Sequence, residues 1–312
     1  MTRRESRADH RLGAHEEHVH REWNRELEPV LPIRSGDVVR FECPEASYGN
    51  VTPETTVAEI PNLGLGPGHA LVGPVAIEDA SPGDVLEVEL LEVDHGEWGW
   101  TAYWPDKGLL ADHANDHGLH VWDLGDDSAP FVDGIEVPLE PFPGTIGVAP
   151  AAVGSHSTIP PRAVGGNLDV KYLTEGATLQ LPVAVDDALF SVGDGHAAQG
   201  DGEVCLTGIE APISVTARFT VRSDLEIDQP RYDSSVREIG GEVLAATGVG
   251  DDLEAASERA ILELIDRLTT ERGLSWSSAY ILCSVAADLK INQLVNAPNW
   301  TVSAHLPKSI FD

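Results

Sequence analysis

The stretch SPGDVLEVELLEVD, residues 81–94, is the clearest indication of the fold class. A Pro-Gly-Asp turn signal opens it, and apolar and polar residues then alternate from Leu86 to Leu90. Such alternation is typical of a β-strand that buries one face. The stretch SGDVVRFEC, residues 35–43, has the same turn and the same alternation. We interpret this likeness as one turn chemistry used twice rather than as two related β-layers.

Strand-like segments continue from Val30 to about Phe219. Proline and glycine separate them, as expected for turns between short strands. They include PGTIGVAPA (143–151), ATLQLPVAV (177–185) and EVCLTGIEAPISVTARFTV (203–221). The sequence therefore predicts a β-rich core.

After about Ser223 the pattern becomes helical. In residues 252–273, DLEAASERAILELIDRLTTERG, apolar side chains recur at helical spacing and Gly273 marks the end. Ser275 is the expected N-cap of a second helix that runs to about Val295. Because strands come first and helices follow, we predict a mainly β fold with an α+β C-terminal part, not a doubly wound sheet. The predicted organisation is an extended or disordered arm (1–17), a β-rich core (18–222) and an α+β region (223–312) that completes the same functional unit.

The charge of the chain limits its partners. Lys and Arg number 20 and Asp and Glu number 52, which gives a net charge of −32. Such a surface repels nucleic acid and anionic membranes. Because the acids are spread along the whole chain, we expect a protein adapted to strong salt, with an ordinary acidic protein as the alternative.

The chain has three cysteines and no CxxC pair, so it offers neither a disulfide framework nor a thiolate zinc site. This usage is typical of the reducing cytoplasm. No apolar run approaches the ~20 residues of a membrane span, and the N-terminus lacks the apolar core of a signal peptide.

The stretch ALFSVGDGHAAQGDGEV, residues 188–204, is the strongest candidate site. Asp194 and His196 are two residues apart, so on a strand they point to one side and can meet one metal ion. Asp201 and Glu203 repeat this spacing. Imidazole nitrogen and carboxylate oxygen suit zinc or a harder cation, and a carboxylate beside the ion can act as general base. An acidic turn with a surface histidine is the alternative interpretation.

The segment GDGHAAQGDGEV, residues 193–204, resembles the signature of the acetamidase/formamidase family, in which GD-x-H-A is followed closely by GDGE. Further segments resemble the family in the same order. They include HVHREWNRELEPVLPIRSGDVVRFE (18–42), GHALVGPVAIEDASPGDVLEVEL (68–90), PPRAVGGNLD (160–169), DLKINQLVN (288–296) and LPKSIF (306–311). The resemblance covers about residues 18 to 312.

The resemblance implies jelly-roll-like and barrel-like β portions, with a C-terminal helical hairpin packed on strands. It also implies hydrolysis of short aliphatic amides to a carboxylic acid and ammonia. We predict a divalent metal, zinc with calcium as the alternative, held by His69, Asp194 and His196. The predicted catalytic residues are Glu203 as general base, Asp201 and Asp169; the predicted substrate-binding residues are Glu78, Asn167 and Gly195.

Two alternatives accompany this hypothesis. Cys205 could be a nucleophile, although its position between Val204 and Leu206 favours a buried strand residue that serves packing. The whole protein could instead be a β-rich metal- or solute-binding protein without turnover. The expected partners are a small neutral amide and further copies of the chain, as a dimer or a larger homo-oligomer.

Overall fold

The structure is a computed structural model that describes residues 7–63, 68–132, 134–236 and 240–311. The first six residues of the predicted arm, and residues 64–67 of the glycine-rich loop before His69, lie outside the described residues. Within the described ranges the strands form two nine-stranded sheets and a two-stranded ribbon, and two α-helices follow near the C-terminus.

The first sheet contains the strand that the opening stretch predicts, β6 (Val85–His95), near its middle. Leu86, Val88 and Leu90 are fully buried, while the glutamates between them are not, so the alternation has the predicted effect. In spatial order, the sheet consists of β1 (His10–Leu12), β4 (Val38–Cys43), β16 (Ile213–Arg222), β6, β13 (Thr178–Pro182), β17 (Arg231–Val236), β18 (Gly241–Gly250), β20 (Trp300–Pro307) and β19 (Asp288–Gln293).

The second sheet carries the candidate site on its central strand, β14 (Phe190–Ala198). Along one edge of β14 lies β11 (Phe142–Val148), followed by β12 (Gly165–Asn167). Along its other edge lie β15 (Ile209–Glu210), followed by β7 (Trp98–Tyr103) and β8 (Gly118–Asp123), and also β5 (Leu71–Ile77), which pairs with β2 (Val19–His20) and β3 (Leu31–Ile33). The ribbon pairs β9 (Ser128–Pro130) with β10 (Glu136–Pro138).

The main hydrophobic core lies between the two sheets. Phe41 and Phe219 of the first sheet meet Phe190 of the second, with ring centroids 5.7 and 4.9 Å from that of Phe190. Burial of large apolar side chains is the dominant favourable term in folding, so this contact holds the sheets together as a sandwich. The predicted mainly β fold is confirmed.

The two helices pack on the C-terminal strands. Helix α1 (Leu253–Arg272) begins after Asp252, whose side chain accepts a hydrogen bond from the Ala255 amide, and ends at Gly273 with φ of 67°. This left-handed conformation is one that glycine adopts without strain, so the predicted stop is confirmed. Helix α2 (Trp276–Ala286) has the predicted cap at Ser275. A second core joins α1 and α2 to β18 and β20.

The predicted length of the second helix is wrong. Helix α2 ends at Ala286, and residues 288–293 form strand β19, which pairs antiparallel with β20. Leu289 and Ile291 stand two residues apart, a spacing that a strand accommodates by placing both on one face. The hydrogen bonds to β20 are tertiary contacts, which local helical spacing cannot anticipate.

The three regions predicted from the sequence, 1–17, 18–222 and 223–312, all contribute strands to the first sheet. Strand β1, from the predicted arm, pairs in parallel with β4 of the core. Strands β17, β18, β20 and β19 extend the same sheet beyond residue 222. Neither described helix is long and apolar enough to cross a membrane.

Candidate active site

Asp194 and His196 lie on one face of β14, as their spacing predicts, and both are almost fully buried. Gly193 and Gly195 face the opposite way, where a Cβ would stand 2.4 Å from the Ala70 carbonyl oxygen and 2.3 Å from that of Ala211. Glycine is therefore required at both positions, because neighbouring backbone approaches too closely for any side chain. Asp194 itself has φ of 57°, a strained value for this residue type that is often found at functional sites.

Gly144 forms the floor of the site. It lies on β11, opposite Asp194, because Thr145 pairs with Gly193 and Pro143 pairs with Gly195. A Cβ at Gly144 would lie 2.8 Å from Asp169 Oδ1, Asp194 Oδ2 and His196 Cε1. The missing side chain thus leaves a space that three polar residues surround.

His69 precedes β5 and contacts Asp194. Its Nδ1 lies 2.9 Å from Asp194 Oδ2, and the Thr145 hydroxyl donates to the same oxygen at 3.0 Å. Burial raises the pKa of Asp194, but the charge of His69 and its hydrogen bond outweigh this effect and lower the pKa to about 2. Asn167 stands beside them, its Oδ1 2.9 Å from the Thr145 hydroxyl.

Glu210 is a site residue that the sequence analysis missed. It lies on β15 opposite His196, and its Oε1 is 3.0 Å from His196 Nε2. Burial lowers the pKa of His196, but the Glu210 carboxylate and its hydrogen bond dominate and raise it to about 10. One feature of the sequence points to Glu210. It is a glutamate placed between apolar residues in the segment GIEAPI (208–213).

Asp169 and Asn296 complete another side of the site. Asn296 Nδ2 donates to Asp169 Oδ2 at 2.5 Å, while Asp169 Oδ1 stands 4.0 Å from His196 Nδ1. Burial raises the pKa of Asp169 to about 7. Asn296 was not predicted, although it ends the DLKINQLVN segment that carries part of the family resemblance.

Glu203 reaches the cluster from a turn between β14 and β15. It is buried with φ of 48°, and its Oε2 has no hydrogen-bond partner among the residues that the structure describes. Burial raises the pKa of its carboxyl well above the usual value, and the charge of Asp169 raises it further.

The cluster fits a metal ion. Five of its buried polar atoms lack a hydrogen-bond partner within the described part of the chain, and such atoms are rare in folded proteins. Asp169, His196 and Glu203 can offer ligand atoms within 4.8 Å of one another, and so can Asp194, His196 and Glu210. Imidazole and carboxylate donors suit zinc, and a carboxylate-rich set also suits calcium. The five atoms are Asp169 Oδ1, Asp194 Oδ1, His196 Nδ1, Glu203 Oε2 and Glu210 Oε2.

Three predicted site residues are not brought into this cluster. Glu78 follows the C-terminal end of β5, whereas His69 precedes its N-terminal end. Glu78 forms an exposed ion pair with Arg34. Asp201 is exposed and accepts a hydrogen bond from the Tyr172 hydroxyl at 2.8 Å. Gly195 donates its amide to Pro44 and accepts from Ala211 through its carbonyl, so its backbone is not available to a substrate.

Cys205 is not the buried strand residue that the sequence predicts. It lies half-buried in the turn after Glu203, with its Sγ 3.5 Å from the Thr207 carbonyl oxygen. It lines a groove of about 710 Å³ beside the site, together with Asp201 and Lys171. Gly200 and Gly202 lie in the turn before it. The strand-like segment predicted from residue 203 therefore forms a strand only from Ile209, where β15 begins.

The cluster encloses a small cavity of about 60 Å³. Its polar wall consists of the residues described above. Its other wall is apolar, formed by Ala46, Trp100, Ile159 and Leu206. A cavity of this volume has room for a small molecule. The arrangement can thus hold a very small molecule between apolar side chains and proton-carrying groups.

The chain is similar to known proteins along almost its whole length. The family model for the acetamidase/formamidase family matches residues 6–153 and 151–312. A formamidase from Methylophilus methylotrophus is 27% identical over 248 residues, which are 61% of this chain and 60% of that protein. An acetamidase from Mycolicibacterium smegmatis is 26% identical over 251 residues, 61% of this chain and 62% of that protein. The aligned region thus spans about three fifths of each of these relatives.

A solved structure of an acetamidase from Bacillus halodurans is similar over almost its whole length. It is 30% identical, has a TM-score of 0.88, and the match covers 96% of this chain and 98% of that one.

Proposed function

Because this chain belongs to the acetamidase/formamidase family, we propose that it hydrolyses short aliphatic amides to a carboxylate and ammonia. One observation carries the proposal: five unpartnered buried atoms, four carboxylate oxygens and one imidazole nitrogen, converge around a cavity of about 60 Å³. Such convergence of polar groups with strongly shifted pKa values in a small cavity is typical of an active site.

The cavity supports a small and neutral substrate. Four buried carboxyl groups, those of Asp169, Asp194, Glu203 and Glu210, would repel an anionic ligand. The apolar wall at Ile159 and Leu206 suits the hydrogen or short alkyl group of the acyl part. Formamide and acetamide therefore fit this site better than longer amides.

We propose that Asp194 and His196 hold a divalent metal, zinc with calcium as the alternative, and that Glu210 supports them. Such an ion supplies a Lewis acid that polarises the amide carbonyl and lowers the pKa of water. His69, proposed from the sequence as a third ligand, contacts Asp194 Oδ2 at 2.9 Å, which supports a role in orienting that carboxylate.

Glu203 is the proposed general base and acid. Its carboxylate accepts a proton as water adds to the carbonyl carbon, and it then donates a proton to the nitrogen as the C–N bond breaks. A raised pKa suits both steps, because the group must gain and lose a proton near neutral pH. Asp169, held by Asn296, and Asn167 are the proposed positioning residues.

Purified protein in strong salt, tested for ammonia release from formamide, acetamide and propionamide, provides the test. We expect turnover of at least one of these amides, together with bound metal measured by elemental analysis. A metal-containing protein that releases no ammonia from any of them would contradict the proposal and favour the solute-binding alternative.

The setting of the protein is also a proposal. A net charge of −32 supports adaptation to strong salt, since salt screens repulsion between like charges. The three cysteines are free, which supports the reducing cytoplasm. We further infer that the protein acts as a homo-oligomer.

A further inference from the structure

Four large apolar side chains of helix α2 are exposed to solvent. Trp276, Tyr280, Ile281 and Val285 have exposed fractions of 56%, 52%, 62% and 77%. The opposite side of the helix, with Ala279 and Cys283, is buried against the second core. Among the described residues, the buried side of α2 packs against the second core, whereas these four large apolar side chains remain exposed.

Strand β19 extends this surface. Leu289 and Ile291 are 49% and 37% exposed and pair with Ala304 and Val302 of β20. Directly paired residues lie on the same face of a sheet, and Ala304 and Val302 belong to the core under the helices. Leu289 and Ile291 thus lie on the face that carries α2, and we call these two and the four exposed helix residues the α2–β19 face.

The α2–β19 face is neutral in a strongly acidic protein. Residues 276–291 contain one acid, Asp288, and one base, Lys290, whereas the whole chain has a net charge of −32. Two copies of this chain repel each other over most of their surface because both are acidic. The α2–β19 face carries no net charge, so this repulsion is absent there. An anionic or cationic partner would find no complementary charge on this face.

Strand β19 also ends its sheet. In the described part of the chain no strand pairs with the outer edge of Asp288–Ile291, and only the far end, at Gln293, has a bridge to Gly202. An exposed edge is a template for another strand, and proteins normally cover it. A second copy related by a two-fold axis would place its own β19 antiparallel to this edge.

We propose that the α2–β19 face is a two-fold interface between two copies of this chain. The two aromatic and four aliphatic side chains expose about 500 Å² together, which is near the upper end of the apolar patches of monomeric proteins. Backbone and flanking atoms of β19 would bring this toward the roughly 800 Å² per partner of a stable dimer. The proposal does not depend on the enzymatic activity, since the face lies outside the cavity lining.

Sedimentation velocity in molar salt tests this proposal. We expect the wild-type protein to sediment as a dimer, twice the chain mass of 33.4 kDa. Val285→Glu should raise the dimer dissociation constant by at least about 100-fold, because a two-fold interface contains the new charge twice. Ile281→Glu should have the same effect and serves as an independent second variant. Val153→Glu, at a 73% exposed valine outside the face, is the matched control and should sediment as wild type.

Circular dichroism and thermal melting must show that each variant is folded. A wild-type protein that stays monomeric at all concentrations would overturn the proposal, and so would folded Val285→Glu and Ile281→Glu variants that assemble as tightly as wild type. Loss of assembly in Val153→Glu to the same extent would also overturn it, because the effect would then come from added charge alone.

Discussion

Adding one methyl group at Gly144 should disrupt the site in a protein that still folds. The new Cβ would lie 2.8 Å from Asp169 Oδ1, Asp194 Oδ2 and His196 Cε1. Carbon atoms in ordinary contact lie about 3.5–4.0 Å from their neighbours, so each of these atoms would have to move by roughly 0.7–1.2 Å. All three belong to buried side chains that neighbouring groups hold in place.

The magnitude follows from these displacements. A misplacement of about 1 Å at reacting groups can cost about 100-fold in rate, so we expect kcat/KM for formamide to fall about 30–100-fold in Gly144→Ala. Bound metal should decrease as well, since Asp194 and His196 are the proposed ligands. Overpacking should lower the free energy of unfolding by about 1–3 kcal/mol.

The assay compares kcat/KM, metal content and thermal melting of Gly144→Ala with those of Gly241→Ala. Gly241 begins strand β18, and a Cβ there would meet no described atom within 4 Å, so this control should behave as wild type. Wild-type kcat/KM and metal content in Gly144→Ala would refute the assignment of this cluster as the active site.

The remaining predictions concern the base, the apolar wall and the charge. Glu203→Gln should lower kcat by ~10²–10⁴ while metal content stays near wild type, whereas His196→Ala should lose both. If Glu203→Gln also loses the metal, Glu203 is a ligand and not the base. Leu206→Ala should raise kcat/KM for butyramide relative to formamide by about 10–100-fold, because the apolar wall recedes. Val204→Ala, on the same turn but facing the groove, should leave that ratio unchanged; an unchanged ratio in Leu206→Ala would show that Leu206 does not limit the acyl group. Transfer from molar to millimolar salt should lower the melting temperature as screening weakens, and an unchanged value would contradict the expected adaptation to salt.

Local periodicity determined the elements that the sequence predicted well. The alternation at Leu86, Val88 and Leu90 produces a half-buried strand because successive side chains of a strand point to opposite faces. The same rule placed Asp194 and His196 on one face of β14. Helix α1 follows from its apolar spacing and from its stop at Gly273, signals that act within a few residues.

Only the tertiary structure decided which other residues join Asp194 and His196. Asn296 reaches Asp169 across 127 positions of the chain, and Gly144 and Glu210 are brought in by the register of β11 and β15 against β14. Strand β5 separates Glu78 from His69, and the ladder with β20 makes residues 288–293 a strand. The partner of each strand depends on side-chain packing against its neighbours in the sandwich, and the spacing of residues within one strand does not reveal which neighbour it will have.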